Sequence, residues 1–409
     1  MRIKLQNIGM ISDCDVEING ITVIAGNNNT GKSTISKTLF SVFNSSYKIE
    51  EQIKNERVNS VYNYIRRVID RFDFDYYHLD EIKEGVKDIV NNKNNYIDDI
   101  GNLNEKLRTI VKNEYIDNEV VSSIEEKLKV SDEELANSIF KKRFSREFGN
   151  QIKNTLNNNN GYITLRIKNH DLNLSIDDNQ NISVKFPIEF SLQKEAIYID
   201  NPFVLDENKI YVRRKPLYDH ENHLISKLLF NVDNNAIDEI LATKKLDKIY
   251  EKINSICGGK IVYGENGLLY EKNNNSFNVH NLSAGLKSFV ILKTLLLNGT
   301  IVENGTIILD EPEIHLHPEW QLLFAELIVL LQKEFGLHIL LNTHSPYFLD
   351  ALYIYSKKYN VDDKCKYYLT IAEDNGSKLI DVTKKEEEIF KMLVKPFKDL
   401  ENERNEFDD

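Results

Sequence analysis

The sequence predicts an α/β fold in which a mixed, largely parallel core sheet, an antiparallel β subdomain and a helical insertion are built into one chain. Three observations predict it. Strand, helix and strand signals alternate near both ends of the chain, so the core sheet is assembled from distant segments. Residues 46–148 carry apolar residues three and four apart, the helical period. After the polar NNNNG at 157–161, polarity alternates at period two between Asn/Asp turns, the pattern of an antiparallel meander.

In chain order, RIKLQNIG and CDVEI alternate in polarity, and ITVIAG is a short apolar run closing on glycine. A helix is expected from Lys32, opening in a glycine-rich turn. EEQIKNERVNSVYNYIRRVIDRF typifies the helical region, which clusters such as NNKNNY break into several helices. No heptad pattern is sustained, which argues against a long coiled-coil arm. YITLRI, LNLSI and ISVKF read as the meander, EAIYID and KIYVRR as further strands, 221–256 as helical and KIVYGENGLLYE as a hairpin. From 283 the order is helix, strand TIILDE, helix from Pro318 and strand LHILLNTH. The expected domains are a head formed by 1–45 and 149–372, a helical insertion over 46–148, and a polar tail over 373–409 ending in a solvated NEFDD.

Composition narrows the class. The 409 residues are 41% hydrophobic and 28% charged, enough to bury a core. No apolar run reaches the length of a membrane span and the N-terminus has no signal-peptide pattern, so a cytoplasmic chain without membrane association is expected. Cys14, Cys257 and Cys365 are odd in number and widely spaced, without a CxxC, which fits a reducing compartment and no zinc ribbon. The net charge of −12 repels nucleic acid at long range. Two basic clusters, Lys141, Lys142, Arg143 and Arg146, and Arg213, Arg214 and Lys215, read first as solvated faces; nucleic-acid binding stays open.

GNNNTGKST satisfies GxxxxGK[ST] between an apolar strand and a helix. Gly26, Asn27, Asn28, Asn29, Thr30, Gly31, Lys32, Ser33 and Thr34 are thus candidate ATP-binding residues. The glycines let the backbone wrap so that its N–H groups and the helix N-terminus point at phosphate oxygens. Lys32 supplies charge to the β- and γ-phosphates, and Ser33 a hydroxyl to Mg²⁺.

LDEPEIHLHPEW (309–320) sets four carboxylates and two histidines in twelve residues. A phosphate loop needs a second acid at the end of a neighbouring apolar strand. Asp310 stands there as the expected Mg²⁺ residue, and Glu311 as the group that orients and deprotonates water. His315 and His317 share a side in an extended segment, which leaves a metal site conceivable, but no third ligand at a familiar spacing accompanies them.

LSAGLKS (282–288) before an apolar helix and NTHSP (342–346) after a strand complete an order of motifs. With DEPEIHLHP, that order resembles the ATP-binding-cassette superfamily, in the SMC-like branch that holds the overcoming-lysogenization-defect nucleases and the ATPases of Septu-type and related anti-phage systems. The resemblance spans 1–45 and 280–350 at motif level. It implies an ABC-type ATPase head that closes as a homodimer, or higher oligomer, around ATP and Mg²⁺. It also implies that His344 contacts the γ-phosphate in its own subunit, while Ser283 and Gly285 reach the nucleotide of a second one. Ala284 and Leu286 replace the glycine and glutamine of the usual LSGGQ. A lobe-boundary glutamine completes the metal shell in the family, and Gln151 is the candidate here.

The expected function is a sensor and switch ATPase whose effector, a nuclease or toxin, is a separate protein of an anti-phage system. Only 65 residues follow His344, too few for an appended nuclease module, and the 46–148 insertion is the natural docking surface for the effector. The alternative is an SMC-like ATPase of DNA repair or maintenance that clamps DNA between its heads.

Overall fold

The alternation in RIKLQNI becomes β1 (Arg2–Ile8), with Ile3, Leu5 and Ile8 buried and Arg2, Lys4 and Gln6 outward. It pairs with β2 (Ile11–Glu17) in an antiparallel hairpin. ITVIA becomes β3 (Ile21–Ala25), buried at every position. The computed structural model describes residues 1–70, 79–111, 117–185, 190–206, 218–229, 247–264 and 267–408. They fall into two compact units: Met1–Asn44 with Arg143–Pro187 and Lys194–Asp409, and Ser45–Lys142 with Ile188–Gln193.

The first unit is built on one mixed sheet. Its other strands are β4 (Gly161–Ile167), β5 (His170–Ile176), β6 (Ile182–Lys185), β7 (Ala196–Ile199), β11 (Thr306–Asp310), β12 (His338–Thr343), β13 (Cys365–Glu373) and β14 (Gly376–Asp381). The order is β6-β5-β4-β1-β2-β14-β13-β3-β12-β11-β7. From β13 to β7 all neighbours are parallel. Within that half β3, β12, β11 and β7 are the continuous apolar runs, as strands covered on both faces require. From β6 to β2 all neighbours are antiparallel, and the strands alternate. The meander is therefore the continuation of the core sheet through β1, not a separate layer.

Helices α10 (Ala284–Leu297), α11 (Pro318–Phe335) and α12 (Pro346–Lys358) contribute to the core with the parallel strands. Phe289, Phe324, Leu327 and Phe348 meet Val23, Ile307 and Leu341 there. α1 (Lys32–Ser46) follows β3, and α8 (Asp219–Leu228) follows β7. A helix over 247–256 (α9) leads into a second sheet of β8 (Lys260–Gly264), β9 (Gly267–Lys272) and β10 (Asn275–Asn278).

The second unit holds α2 (Ile49–Asp70), α3 (Leu79–Asn91), α4 (Lys93–Asp98), α5 (Ile100–Val111), α6 (Asn118–Lys129) and most of α7 (Asp132–Phe148). Val61, Val86, Leu103 and Ile124 form its core. Buried Arg57 donates to the carbonyls of Lys127, Leu128 and Val130 at the end of α6, at 3.4, 3.3 and 2.9 Å. A cation there satisfies orphan helix carbonyls and complements the helix dipole.

The expected polar tail is a correction. Residues 376–381 form β14 inside the sheet, and α13 (Glu387–Asp408) buries Ile389 and packs Phe390, Met392 and Leu393 against the core. The segment reads as polar because β14 buries only Gly376 and Ser377. Gly376 adopts φ 132°, and a Cβ there would stand 2.8 Å from the Met10 carbonyl oxygen. Arg143 corrects the solvated reading of the first basic cluster, since its side chain is 20% exposed and paired to Asp219 at 2.7 Å. KIYVRR, with Arg213, Arg214 and Lys215, lies outside the described residues, as do 230–246 of the expected helical stretch. Among the described residues no helix is long and apolar enough to cross a membrane.

Candidate phosphate and metal site

The carboxyl ends of β3, β12 and β11 lie in register, with Ala25 beside Thr343 and Asn342 beside Asp310. This is the edge at which open α/β sheets bind ligands. The chain leaves β3 into Gly26–Gly31 and enters α1 at Lys32. Two glycines permit that path. A Cβ on Gly26 would stand 1.7 Å from Thr370 Oγ1, and Gly31 has φ 81° with Ile11 Cδ1 2.6 Å from any Cβ. Asn29 also turns left-handed, at φ 62°, a conformation asparagine tolerates. Thr30 Oγ1 bonds Thr370 Oγ1 at 2.6 Å and donates to the Asn27 carbonyl at 2.8 Å, tying the loop to β13.

Lys32 is buried, and its Nζ donates to the carbonyls of Gly26 and Asn27 at 3.1 and 2.9 Å. The ammonium is thus held over the loop. A cavity of about 370 Å³ opens there, lined by Asn28 through Thr34 with Met10 and Glu311.

Asp310 ends β11 and is buried. Its carboxylate accepts from Asn342 Nδ2 and Tyr198 Oη, each at 2.8 Å, and from the Ser33 side chain. Burial raises its pKa against these hydrogen bonds, which favour the charged form. Asn342 Nδ2 also reaches Ser36 Oγ of α1 at 2.9 Å, so one amide joins β12, β11 and α1. Glu311 has φ 48°, a strained conformation for a non-glycine residue. Its N–H donates to the Asn342 carbonyl at 3.0 Å, and its Oε1 lies 3.7 Å from Lys32 Nζ and 3.3 Å from His344 Nδ1.

The structure thus brings Lys32, Ser33, Asp310, Glu311 and His344 to one sheet edge. It leaves three expected residues outside that cluster. Ser283 is the exposed N-cap of α10, accepting from Leu286 N–H at 3.4 Å, and neither it nor Gly285 lines the phosphate-loop cavity. Gly285 is buried, and a Cβ there would stand 2.9 Å from the His315 carbonyl oxygen and 3.3 Å from Trp320, so α10 packs directly on the loop after Glu311. Gln151 is exposed and donates to Thr155 Oγ1 at 3.3 Å, and no contact among the described residues joins it to Ser33 or Asp310. Asp310 lies between Asn342 of β12 on one side and, on the other, β7 followed by Asp200, where Leu309 pairs with Ile199. His315 packs edge-on to Phe203 at 5.4 Å, His317 stands at the N-cap position of α11 without a side-chain capping bond, and no metal-binding group of three or more His, Cys, Asp or Glu is present among the described residues.

Sequence reasoning missed the residues that hold these groups. Tyr198 is fully buried behind Asp310, and His220 packs against it at a tilt of 30° with ring centroids 4.3 Å apart. His220 itself lies between Glu147 (Nδ1, 2.7 Å) and Asp200 (Nε2, 3.0 Å). Burial disfavours its charged form, but the two carboxylates prevail and raise its pKa to about 9. Glu313 is buried in the same loop, with Oε1 accepting from Thr343 Oγ1 at 2.5 Å and His344 N–H at 3.2 Å. Only Glu313 carried a signal, as the third acid of LDEPEIHLHPEW.

A family model described as "AAA domain, putative AbiEii toxin, Type IV TA system" (AAA_21) matches residues 21–350. "Retron Ec83 probable ATPase" of Escherichia coli is 30% identical over 164 residues, covering 36% of this chain and 30% of the length of that relative. Among solved structures, the chain is similar to the SMC head domain from Thermotoga maritima, at 9% identity and a TM-score of 0.40, over 93% of this chain and 98% of that one. A Smc head domain with an extended coiled coil, bound to the C-terminal domain of ScpA derived from Pyrococcus furiosus, matches at 11% identity and a TM-score of 0.41, over 98% of both chains.

Proposed function

This chain belongs to the AAA_21 family, and on that premise we propose that it binds ATP with Mg²⁺ at the phosphate loop, hydrolyses it, and passes the result to a separate effector of an anti-phage system. The observation that carries the reading is the meeting of Lys32, Asp310, Glu311 and His344 at one sheet edge. No other chemistry explains a buried lysine, a buried aspartate and a strained glutamate around a glycine loop as economically.

The donor set fits the cofactor. Ser33 Oγ and the Asp310 carboxylate are the hard oxygen ligands Mg²⁺ takes, and a cation beside them offsets the cost of burying the Asp310 charge. Mg²⁺, when bound, neutralises phosphate charge. The residues of the chain do the remainder. Loop N–H groups and Lys32 bind the β- and γ-phosphates and orient them in line. Glu311 Oε1 accepts a proton from the water whose oxygen bonds the γ-phosphorus as the bridging P–O bond breaks. His344 Nδ1, beside the same oxygen, orients Glu311 and faces the transferred group.

Two finer parts of the proposal have their own support. Ser283 heads an apolar helix, is exposed and does not line its own subunit's phosphate cavity, so a second copy is the natural source of that hydroxyl at each nucleotide. The family description names a toxin and a toxin–antitoxin system, and the retron relative is named for its ATPase. Both fit an ATPase that serves an effector.

The testing experiment is Mg²⁺-dependent phosphate release from ATP by the purified chain, beside Lys32→Ala. We expect turnover by the former and loss of ATP binding in the latter. Undiminished ATP affinity in Lys32→Ala would move the site elsewhere.

A further inference from the structure

A second cavity, of about 800 Å³, shares no lining residue with the one over the phosphate loop. It is bounded by α9, the β8–β9–β10 sheet and the last turns of α10. Lys293 of α10 reaches it and is only 8% exposed. Its ammonium donates to Asn254 Oδ1 at 2.7 Å, to the Cys257 carbonyl at 2.8 Å and to the Gly259 carbonyl at 2.7 Å. All three acceptors are neutral. A buried cation is ordinarily paired with a carboxylate, and no described residue supplies one here.

Two further cations line the cavity from the two faces of the β8–β9 ribbon, since Lys260 stands across from Glu271 and Lys272 follows Glu271 in the strand. Lys260 opens β8 and Lys272 closes β9, both exposed, and neither forms an ion pair with a described residue. Lys272 Nζ lies 3.8 Å from the position of a Cβ on Gly258, so its charge sits over the Cys257–Gly258–Gly259 turn that Lys293 holds from behind. The charges of Lys272 and Lys293 both act on the buried Cys257 thiol, and burial draws the Lys293 ammonium below the ordinary lysine value. Glu271 is the acid of this lining. Three lysines against one carboxylate leave a positive excess in a chain whose net charge is −12. Tyr250, Asn254 and Ser276 add an aromatic ring and polar edges.

We propose that this cavity binds a small phosphorylated molecule of nucleotide size. Its phosphate faces Lys272 and Lys260 over the bare glycine turn, and Lys293 supplies uncompensated charge behind it. The volume lies in the range of small-molecule sites. Lysines act on phosphate as compact point charges, without the fork geometry by which arginine selects a carboxylate. The site stands independently of the ATPase reading, although α10 carries Ser283 at one end and Lys293 towards the other.

The test uses the full chain with Lys32→Ala, so that the phosphate loop is disabled. Inorganic pyrophosphate is titrated calorimetrically, with a single-stranded oligonucleotide as the second arm. We expect saturable one-to-one pyrophosphate binding that weakens at least about tenfold when Lys260→Glu and Lys272→Glu are added. The same reversals in the otherwise native chain should leave basal ATP turnover and the melting temperature unchanged. Absence of saturable binding, or equal affinity in the charge-reversed protein, overturns the proposal. Binding confined to the oligonucleotide also overturns it, in favour of a nucleic-acid backbone.

Discussion

Asp310 shows how much of a candidate metal ligand's behaviour is set by neighbours outside the phosphate-loop cavity. Asn342 and Tyr198 each fix one carboxylate oxygen at 2.8 Å. A hydrogen bond to a charged group contributes on the order of 1.5–3 kcal/mol. Tyr198→Phe removes only the hydroxyl and leaves the ring packing on His220. We expect it to keep the fold but raise several-fold the Mg²⁺ concentration that half-saturates ATP turnover, and an unchanged Mg²⁺ requirement would show that the hydroxyl is merely a satisfied core group. Glu313 does the corresponding work for His344. Glu313→Ala should lower turnover without changing ATP affinity, because the loop that carries Glu311 would lose its tie to the end of β12; equal turnover in a rate assay at saturating ATP would refute that role. Of these supports only Glu313 had a signal in the sequence. A buried tyrosine and a buried histidine look like core until β7 and β11 are known to be neighbours, whereas Lys32, Asp310 and Glu311 announced themselves by spacing and strand context.

At the scale of elements, the last turn of α7 is joined to α8 and β7 through charge. Arg143 and Arg146 meet Asp219 at 2.7 and 3.1 Å, and Glu147 and Asp200 enclose His220. The folded pKa of His220, about 9, lies above its ordinary value of 6.5. Its stabilising contribution is therefore complete below about pH 6.5 and is lost as pH rises towards and through 9. The size is on the order of 3 kcal/mol. Melting temperature measured from pH 6 to 10 should fall more steeply in the native chain than in His220→Gln; parallel curves would place the charge elsewhere. The parallel strands β3, β7, β11 and β12 were readable because two-sided burial writes them as unbroken apolar runs. β14 was not, since a strand that buries a glycine and a serine has the composition of a loop. Gln151 lies away from the cluster for a related reason. The order of segments in the chain does not reveal which strand ends lie beside Asp310, and these are Asn342 of β12 and, on the other side, β7 followed by Asp200.

For the whole molecule, the fold class was legible from strand–helix alternation and one phosphate-loop motif, because both are local. The proposed pairing of two heads rests instead on LSAGLKS, whose Ser283 is exposed at the head of α10. Ser283→Arg places a bulky cation at the exposed head of α10, and it should abolish ATP turnover while leaving ATP binding and melting temperature near native. Mixing it with Lys32→Ala should restore part of the activity, because a heterodimer combines both defects at one composite site and leaves the other intact. Full activity of Ser283→Arg alone would contradict shared sites. The central claim is that the cluster at the carboxyl edge of the sheet performs hydrolysis with Glu311 as the base, and the most direct measurement is single-turnover hydrolysis of bound ATP by Glu311→Gln beside the native chain. The account predicts that ATP affinity is retained and the hydrolytic rate falls about 10²–10⁴-fold; a native rate in Glu311→Gln would contradict it.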